Sequence, residues 1–210
     1  MLLPVVVTLV ALAVLLVGEL REHRTTLRLA KPVASTGFVA TALAAGALEG
    51  PYGRAVLAAL VLSWVGDVCL LSRRQGWFLA GLVAFLLGHL AFGVAFAVHG
   101  VTAGWVTGLA LALTLPAMLV RRWLAPYLPS AMRRPVDAYI VVISAMVAMA
   151  IAATIAGGTA RIAIGAIMFY LSDLSVARDR YVRREASNRL WGLPLYYGAQ
   201  LVLASTIAAA

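Results

Sequence analysis

The sequence predicts an all-α polytopic membrane protein with eight transmembrane helices. Three observations carry that prediction. The 210 residues are 63% hydrophobic and 12% charged, with mean hydropathy +0.97, whereas an ordinary soluble domain is about 25% charged. The apolar residues fall into eight runs, each near the ~20 residues that a helix needs to cross a hydrocarbon core. The basic residues alternate between connections, with 15 of the 17 Lys and Arg in the first, third, fifth and seventh. So apolar a chain leaves little loop for a separate soluble domain, and residues 1–210 read as one integral membrane domain. The net charge of +9 does not describe a nucleic-acid face, because the basic residues sit between apolar runs and act as a topology signal.

The first run covers residues 2–18. No basic residue precedes it, as a secretory leader would require, so it reads as a retained helix. Arg21, Arg24, Arg28 and Lys31 lead to the second run, 32–48, with Pro32 at a first-turn position where a missing N–H does no harm. Gly50-Pro51 signals a turn, and the third run is 54–72. Arg73 and Arg74 separate it from the fourth, 77–98. Only His99-Gly100-Val101 divides the fourth from the fifth, 102–120, which makes this the narrowest boundary. Arg121, Arg122, Arg133 and Arg134 precede the sixth run, 135–156, which opens on Pro135 and ends at the Gly157-Gly158 turn. The seventh is 160–178. Arg178, Arg180, Arg183, Arg184 and Arg189 precede the eighth, 191–209. Trp123, Tyr127, Tyr181 and Trp191 are the residue types that anchor at a membrane interface. Only Arg54 and Arg161 fall on the other side. This bias puts the odd connections in the cytoplasm and both termini across the cell (inner) membrane. Removing or adding one helix would break the alternation.

The two halves carry matching features. Lys31-Pro32 opens the second run and Arg134-Pro135 opens the sixth, 103 residues later; Gly66-Asp67 and Ser172-Asp173 sit late in the third and seventh, 106 residues apart. A four-plus-four parallel repeat about an axis along the membrane normal would bring Asp67 and Asp173 face to face.

A carboxyl at such depth is expensive, and by default it marks a functional site. Asp67 and Asp173 each lie about five residues, roughly 8 Å, from the cytoplasmic ends of their helices. Lys31, Ser35 and Thr36 open the second helix. Asp137 and Tyr139 lie in the first turns of the sixth, and Tyr196, Tyr197 and Gln200 in the cytoplasmic half of the eighth. Ser63 precedes Asp67 by four residues, and Tyr196 precedes Gln200 by four, so each pair shares a helix face. His89 is near mid-membrane, in a stripe of Phe78, Phe85, Phe92 and Phe96. That stripe suits either a wall for an aliphatic chain or plain helix packing. His89 itself suits either a catalytic role or a neutral bond to a neighbouring helix. Asp137, close to Arg133 and Arg134, suits either the site or an interfacial ion pair. Cys69 reads as a small core thiol. The expected catalytic residues are therefore Asp67, Asp173 and His89, and the expected substrate-binding residues are Lys31, Ser63, Asp137, Tyr139, Tyr197 and Gln200, in a pocket towards the cytoplasmic leaflet. No HExxH, no G-x-S-x-G and no Gly-rich phosphate loop is present, and His89 and His99 cannot make a three-histidine zinc site.

The ordered set Ala30-Lys31-Pro32, Leu62-Ser63-Trp64-Val65-Gly66-Asp67, Phe85-Leu86-Leu87-Gly88-His89, Gly165-Ala166-Ile167-Met168-Phe169-Tyr170-Leu171-Ser172-Asp173 and Tyr197-Gly198-Ala199-Gln200 resembles the YhhN family, which is similar to the animal lysoplasmalogenases. One departure is Leu90-Ala91-Phe92 after His89, where the family often has an aromatic such as Tyr; it bears on substrate preference. The resemblance implies hydrolysis of the vinyl ether bond of a lysoplasmalogen, a lysophospholipid substrate taken from the membrane, with no metal or organic cofactor. That chemistry needs one acid held protonated and one anion to stabilise an oxocarbenium-like cation or activate water, roles that two carboxyls in different environments can divide. Which Asp donates the proton is open. Lys31, with Arg134, suits the lipid phosphate. The competing readings are a lipid or small-molecule transporter with a buried Asp/His proton relay, and a structural protein whose buried polar pairs only set helix register.

Overall fold

The computed structural model describes residues 1–72 and 74–209, so Arg73 of the third connection lies outside the described residues. Among them are eight α-helices and no strand: α1 (Leu2–Leu20), α2 (Arg24–Ala44), α3 (Pro51–Cys69), α4 (Gln75–His99), α5 (Ala103–Leu124), α6 (Ser130–Ile155), α7 (Ala160–Ala177) and α8 (Ala186–Ser205). A π-helical turn, Arg178–Val182, extends α7. By length and composition six of these elements can cross a membrane, and the protein is an integral membrane protein. The other two, α2 and α8, fall short because polar residues lower their hydropathy, among them Arg24, Arg28, Lys31 and Ser35 in one and Asn188, Arg189 and Gln200 in the other.

The helix starts depart from expectation in one instructive way. Pro32 and Pro135 are not first-turn residues; they lie inside helices that begin at Arg24 and Ser130. An apolar window marks only the part of a helix in hydrocarbon, whereas α2 runs on past it, where its arginines are exposed. His23 caps that extension, its Nδ1 accepting from the Thr26 N–H at 3.4 Å. Each proline removes one i→i−4 hydrogen bond. The narrow boundary between α4 and α5 is a real break: Gly100 sits at φ +119°, a conformation open to glycine and costly for other residues.

Seven helices close a ring in the order α1, α2, α3, α4, α6, α7, α8, with α8 also touching α2 and α3. α5 packs on α6 outside the ring, with Leu124 its one buried residue. The packing pairs repeat with a step of four: α1 with α2 as α5 with α6, α2 with α3 as α6 with α7, α3 with α4 as α7 with α8, and α4 with α6 as α8 with α2. Fully buried Ala34, Ala59, Ala150 and Ala199 allow the close helix approach on which membrane packing depends. At the end away from the arginines the ring is plugged by fully buried Phe38, Leu60, Phe92, Phe96 and Leu203. At the arginine-rich end it is open.

Candidate active site

Asp67 arrives near the end of α3 because Gly66 beside it has no side chain. A Cβ there would meet Phe85 of α4 at 2.6 Å, so the glycine lets α4 lie against α3 at the level of the carboxylate. Asp67 is 2% exposed. Its Oδ1 faces the Lys31 ammonium at 3.1 Å, and its Oδ2 accepts from Ser35 Oγ at 2.6 Å and from the Tyr196 hydroxyl at 2.7 Å. Behind Ser35, the Tyr197 hydroxyl sits 3.3 Å from Ser35 Oγ. A buried carboxylate is tolerated when it is paired and hydrogen-bonded, and three groups from α2 and α8 do this here.

Asp173 on α7 has sparser company. Its Oδ2 accepts from the Tyr139 hydroxyl at 2.6 Å, and His89 Nε2 lies 3.5 Å away. The tautomer of His89 follows from its other nitrogen. Nδ1 is 2.6 Å from the Phe85 carbonyl oxygen, which can only accept, so Nδ1 carries the hydrogen. In a neutral ring Nε2 then holds a lone pair 3.5 Å from Asp173 Oδ2, and it has no hydrogen-bond partner among the described residues. A proton on the carboxyl or on the ring would let the two groups bond at closer range.

The two carboxyls share one cavity of about 1350 Å³, lined by Lys31, Asp67, Phe85, Tyr139, Asp173 and Tyr196 at its inner end and by arginines at its mouth. Phe85 and Phe169 stand between the two sets: Phe85 lies edge-on to Tyr196 at 5.9 Å, and Phe169 packs on the His89 ring at 4.4 Å. Apolar residues including Leu82, Val136, Ile140 and Ile143 line another wall. The cavity stops about halfway through the ring, above the phenylalanine plug.

The other expected residues are placed as follows. His89 is fully buried behind Asp173, and Tyr197 behind Ser35. Ser63 turns back to the Ala59 carbonyl at 2.9 Å and away from Asp67. Gln200 is buried, and its amide nitrogen and oxygen have no partner among the described residues. Asp137 lies outside the cavity, in a two-pronged ion pair with Arg121 at 2.9 and 3.3 Å, so of its two readings the structure shows the interfacial pair. Arg134 is exposed and not at the cavity. In the phenylalanine stripe, Phe78 and Phe85 line the cavity while Phe92 and Phe96 stack at 6.1 Å in the core. Tyr181, expected as an interfacial anchor, turns inward edge-on to Phe78.

Sequence reasoning gave no role to two features. Ser35 and Tyr196 hold Asp67, which the residues themselves could have suggested, since both lie level with it on neighbouring helices. The second is a network at the mouth, where Arg189 joins Glu19 of α1 at 2.6 Å to Asp179 of the π-helical turn at 3.0 Å. Among the described residues no group of three or more His, Cys, Asp or Glu is placed to hold a metal ion.

Comparison with known proteins places the chain in a family. The YhhN family model matches residues 26–207. The chain is 29% identical over 163 residues to lysoplasmalogenase TMEM86A of Bos taurus, covering 75% of this chain and 66% of that protein. It is 34% identical over 145 residues to lysoplasmalogenase TMEM86B of Mus musculus, covering 69% and 59%. It is 33% identical over 169 residues to a lysoplasmalogenase of Mycobacterium tuberculosis, covering 76% and 62%. The matched part of the chain thus spans slightly under two thirds of the length of each of these relatives. No solved structure matches the chain significantly.

Proposed function

The chain belongs to the YhhN family, and on that footing we propose that it is a membrane hydrolase that cleaves the vinyl ether bond of a lysoplasmalogen. The products are a fatty aldehyde and glycerophospho-ethanolamine or -choline. The reaction is the one for which its relatives are named. The observation that carries it is a single cavity holding two carboxyls with unlike surroundings, one paired to an ammonium and one beside a tyrosine hydroxyl and an imidazole.

The steps are proton transfers and one addition of water. A proton moves to the outer alkene carbon, forming a C–H bond and leaving the inner carbon as an oxocarbenium ion. Water adds to that carbon and gives up a proton. The hemiacetal then collapses: its hydroxyl gives up a proton, the bond to the glycerol oxygen breaks and that oxygen takes up a proton, so the two carboxyls end with as many protons between them as they began with. Asp173 is the acid, and His89, whose Nε2 lies 3.5 Å from it, is the positioning residue beside it. Asp67, paired with Lys31 and hydrogen-bonded by two hydroxyl donors, faces the cation and takes the proton from water. Positioned proton transfer is worth about 10² to 10⁴-fold, and a fixed anion facing developing positive charge adds to that. Tyr139 orients Asp173, and Tyr197 supports Ser35. Ser63, Gln200 and Asp137 have no part in this scheme. The alkenyl chain lies along Leu82, Phe85, Ile140 and Ile143. The basic bias orients the cavity mouth to the cytoplasmic leaflet, with both termini on the far side. A cavity that ends halfway suits catalysis on a lipid and gives no path across.

The test is aldehyde release from lysoplasmalogen by the purified chain in detergent. Asp67→Asn and Asp173→Asn should each lower the rate at least 10²-fold while the protein stays folded. Unchanged release in both would remove the site assignment, and movement of intact substrate in sealed vesicles would replace hydrolysis with transport.

A further inference from the structure

The Lys31 ammonium, the obvious candidate for a lipid phosphate, is already engaged at 3.1 Å by Asp67. Above it on α2, Arg24, Leu27, Arg28 and Lys31 all line the cavity. Their spacing of i, i+3, i+4 and i+7 puts them on one face of the helix. The face therefore descends from two arginines at the mouth to the Lys31–Asp67 pair at the inner end. Neither Arg24 nor Arg28 has a carboxylate within 4 Å among the described residues. Of the other arginines lining the cavity, Arg189 is held by Glu19 and Asp179, Arg183 by Glu185, and Arg180 by Gln75 and the Phe78 ring, while Arg74 and Arg184, like the α2 pair, have no carboxylate within 4 Å among the described residues but do not lie on the helix face above Lys31. The mouth thus presents two cations on α2 with no counter-charge of their own, directly above the catalytic pair.

We propose that Arg24 and Arg28 form the headgroup site, taking the phosphate diester of the lysolipid, and that Lys31 does not. This rests on the reading of the cavity as a lysolipid site. The spacing fits that ligand. Along a helix Arg28 is about 4.5 Å and Arg24 about 10.5 Å above Lys31. In the substrate six bonds separate the vinyl ether carbon from phosphorus, about 7 Å at ordinary bond lengths. With the reacting carbon between the two carboxyls, the phosphate falls between the two guanidinium groups. Guanidinium forks suit phosphate oxygens in two-pronged hydrogen bonds. The site reads the phosphate and not the amine beyond it, so ethanolamine and choline headgroups bind alike.

The experiment uses lipids with no vinyl ether, so that it does not depend on turnover. Binding of a 1-alkyl lysophosphatidylethanolamine and of the phosphate-free 1-alkylglycerol to the full-length protein is followed by the fluorescence of Trp77, which lines the cavity. The phosphate-bearing lipid should bind about 10- to 100-fold more tightly. That advantage should vanish in Arg24→Gln/Arg28→Gln and shrink in Arg28→Gln alone, while alkylglycerol affinity stays at the wild-type value and reports an intact fold. Asp173→Asn should keep the advantage. Equal binding of the two lipids by wild-type protein, or a double variant that keeps the preference, would overturn the proposal. Inorganic phosphate binding as tightly as the lysolipid would overturn the assignment to a lipid headgroup. A protein that releases no aldehyde yet keeps the phosphate preference would refute the hydrolase reading and leave the headgroup site standing.

Discussion

Replacing Lys31 by Met removes the ammonium 3.1 Å from a carboxylate that is 2% exposed. At that distance and an effective dielectric of about 20 the gross attraction is about 5 kcal/mol. The net cost of stripping a partner from a buried pair is typically about 3–5 kcal/mol. The lower end applies here, because Ser35 and Tyr196 still donate to Asp67 Oδ2; the expected loss is about 3 kcal/mol. Asp67→Asn costs less, about 2 kcal/mol, because Lys31 is 16% exposed and can turn into the cavity. The amide oxygen that this change introduces can keep both hydroxyl bonds, but its NH₂ then points at the ammonium. The double variant Lys31→Met/Asp67→Asn relieves both faults. Its cost should stay near about 2 kcal/mol, a coupling of about 3 kcal/mol between the sites, as expected for residues in direct contact. The assay is equilibrium unfolding of the four proteins in mixed detergent micelles, followed by tryptophan fluorescence. Losses that simply add, with coupling under about 0.5 kcal/mol, would show that the pair is not formed and that Asp67 is not held as an anion by Lys31. The same four proteins separate stability from chemistry: the double variant should be better folded than Lys31→Met alone, and still release no aldehyde.

Asp173→Asn should be inactive without a matching loss of stability, because its carboxyl is 17% exposed to the cavity; a variant that unfolds instead would make Asp173 structural. Tyr139→Phe removes the 2.6 Å donor to Asp173 and should lower kcat about tenfold with little change in KM, roughly the worth of one hydrogen bond; an unchanged kcat would detach Tyr139 from the acid. Gly66→Ala places a methyl 2.6 Å from the Phe85 ring and should cost about 1–3 kcal/mol by overpacking. It should also lower activity, because the Phe85 carbonyl holds the His89 ring; full activity would mean that the ring is fixed by other contacts.

Much of this was legible in the sequence, and the misses have physical causes. Length and charge alternation are strong signals, so the eight helices and the two buried acids could be read directly. The start of α2 could not, because hydropathy marks where a helix is in hydrocarbon and is silent on a helix that continues into the interface with Arg24 and Arg28. Asp137 and Tyr139 were both expected in the site, yet residues two apart point about 200° away from each other on a helix. Tyr139 reaches Asp173, so Asp137 must face α5 and Arg121, as it does. Spacing misled at Ser63, which shares a face with Asp67 but whose hydroxyl satisfies itself on the backbone four residues back, a common local alternative for serine. Spacing places Tyr196 level with Asp67 and on one face with Gln200, but that its hydroxyl bonds Asp67 depends on how α8 packs beside α2 and α3.

The four-helix step in packing bears on how two alike carboxyls acquire unlike roles. Asp67 on α3 and Asp173 on α7 occupy matching places, and each accepts from the helix before it, from Ser35 on α2 and from Tyr139 on α6. Each is also met by the last helix of the other half: Tyr196 of α8 bonds Asp67, and His89 of α4 faces Asp173. Each carboxyl therefore has neighbours from both halves of the chain. The partners differ in kind, serine and tyrosine on Asp67 against tyrosine and histidine at Asp173, and so does a cation. Lys31 turns inward to Asp67, while Arg134, at the matching place beside Pro135, stays exposed and away from the cavity. One carboxyl thus meets an ammonium and the other an imidazole, surroundings unlike enough for the two roles proposed for them.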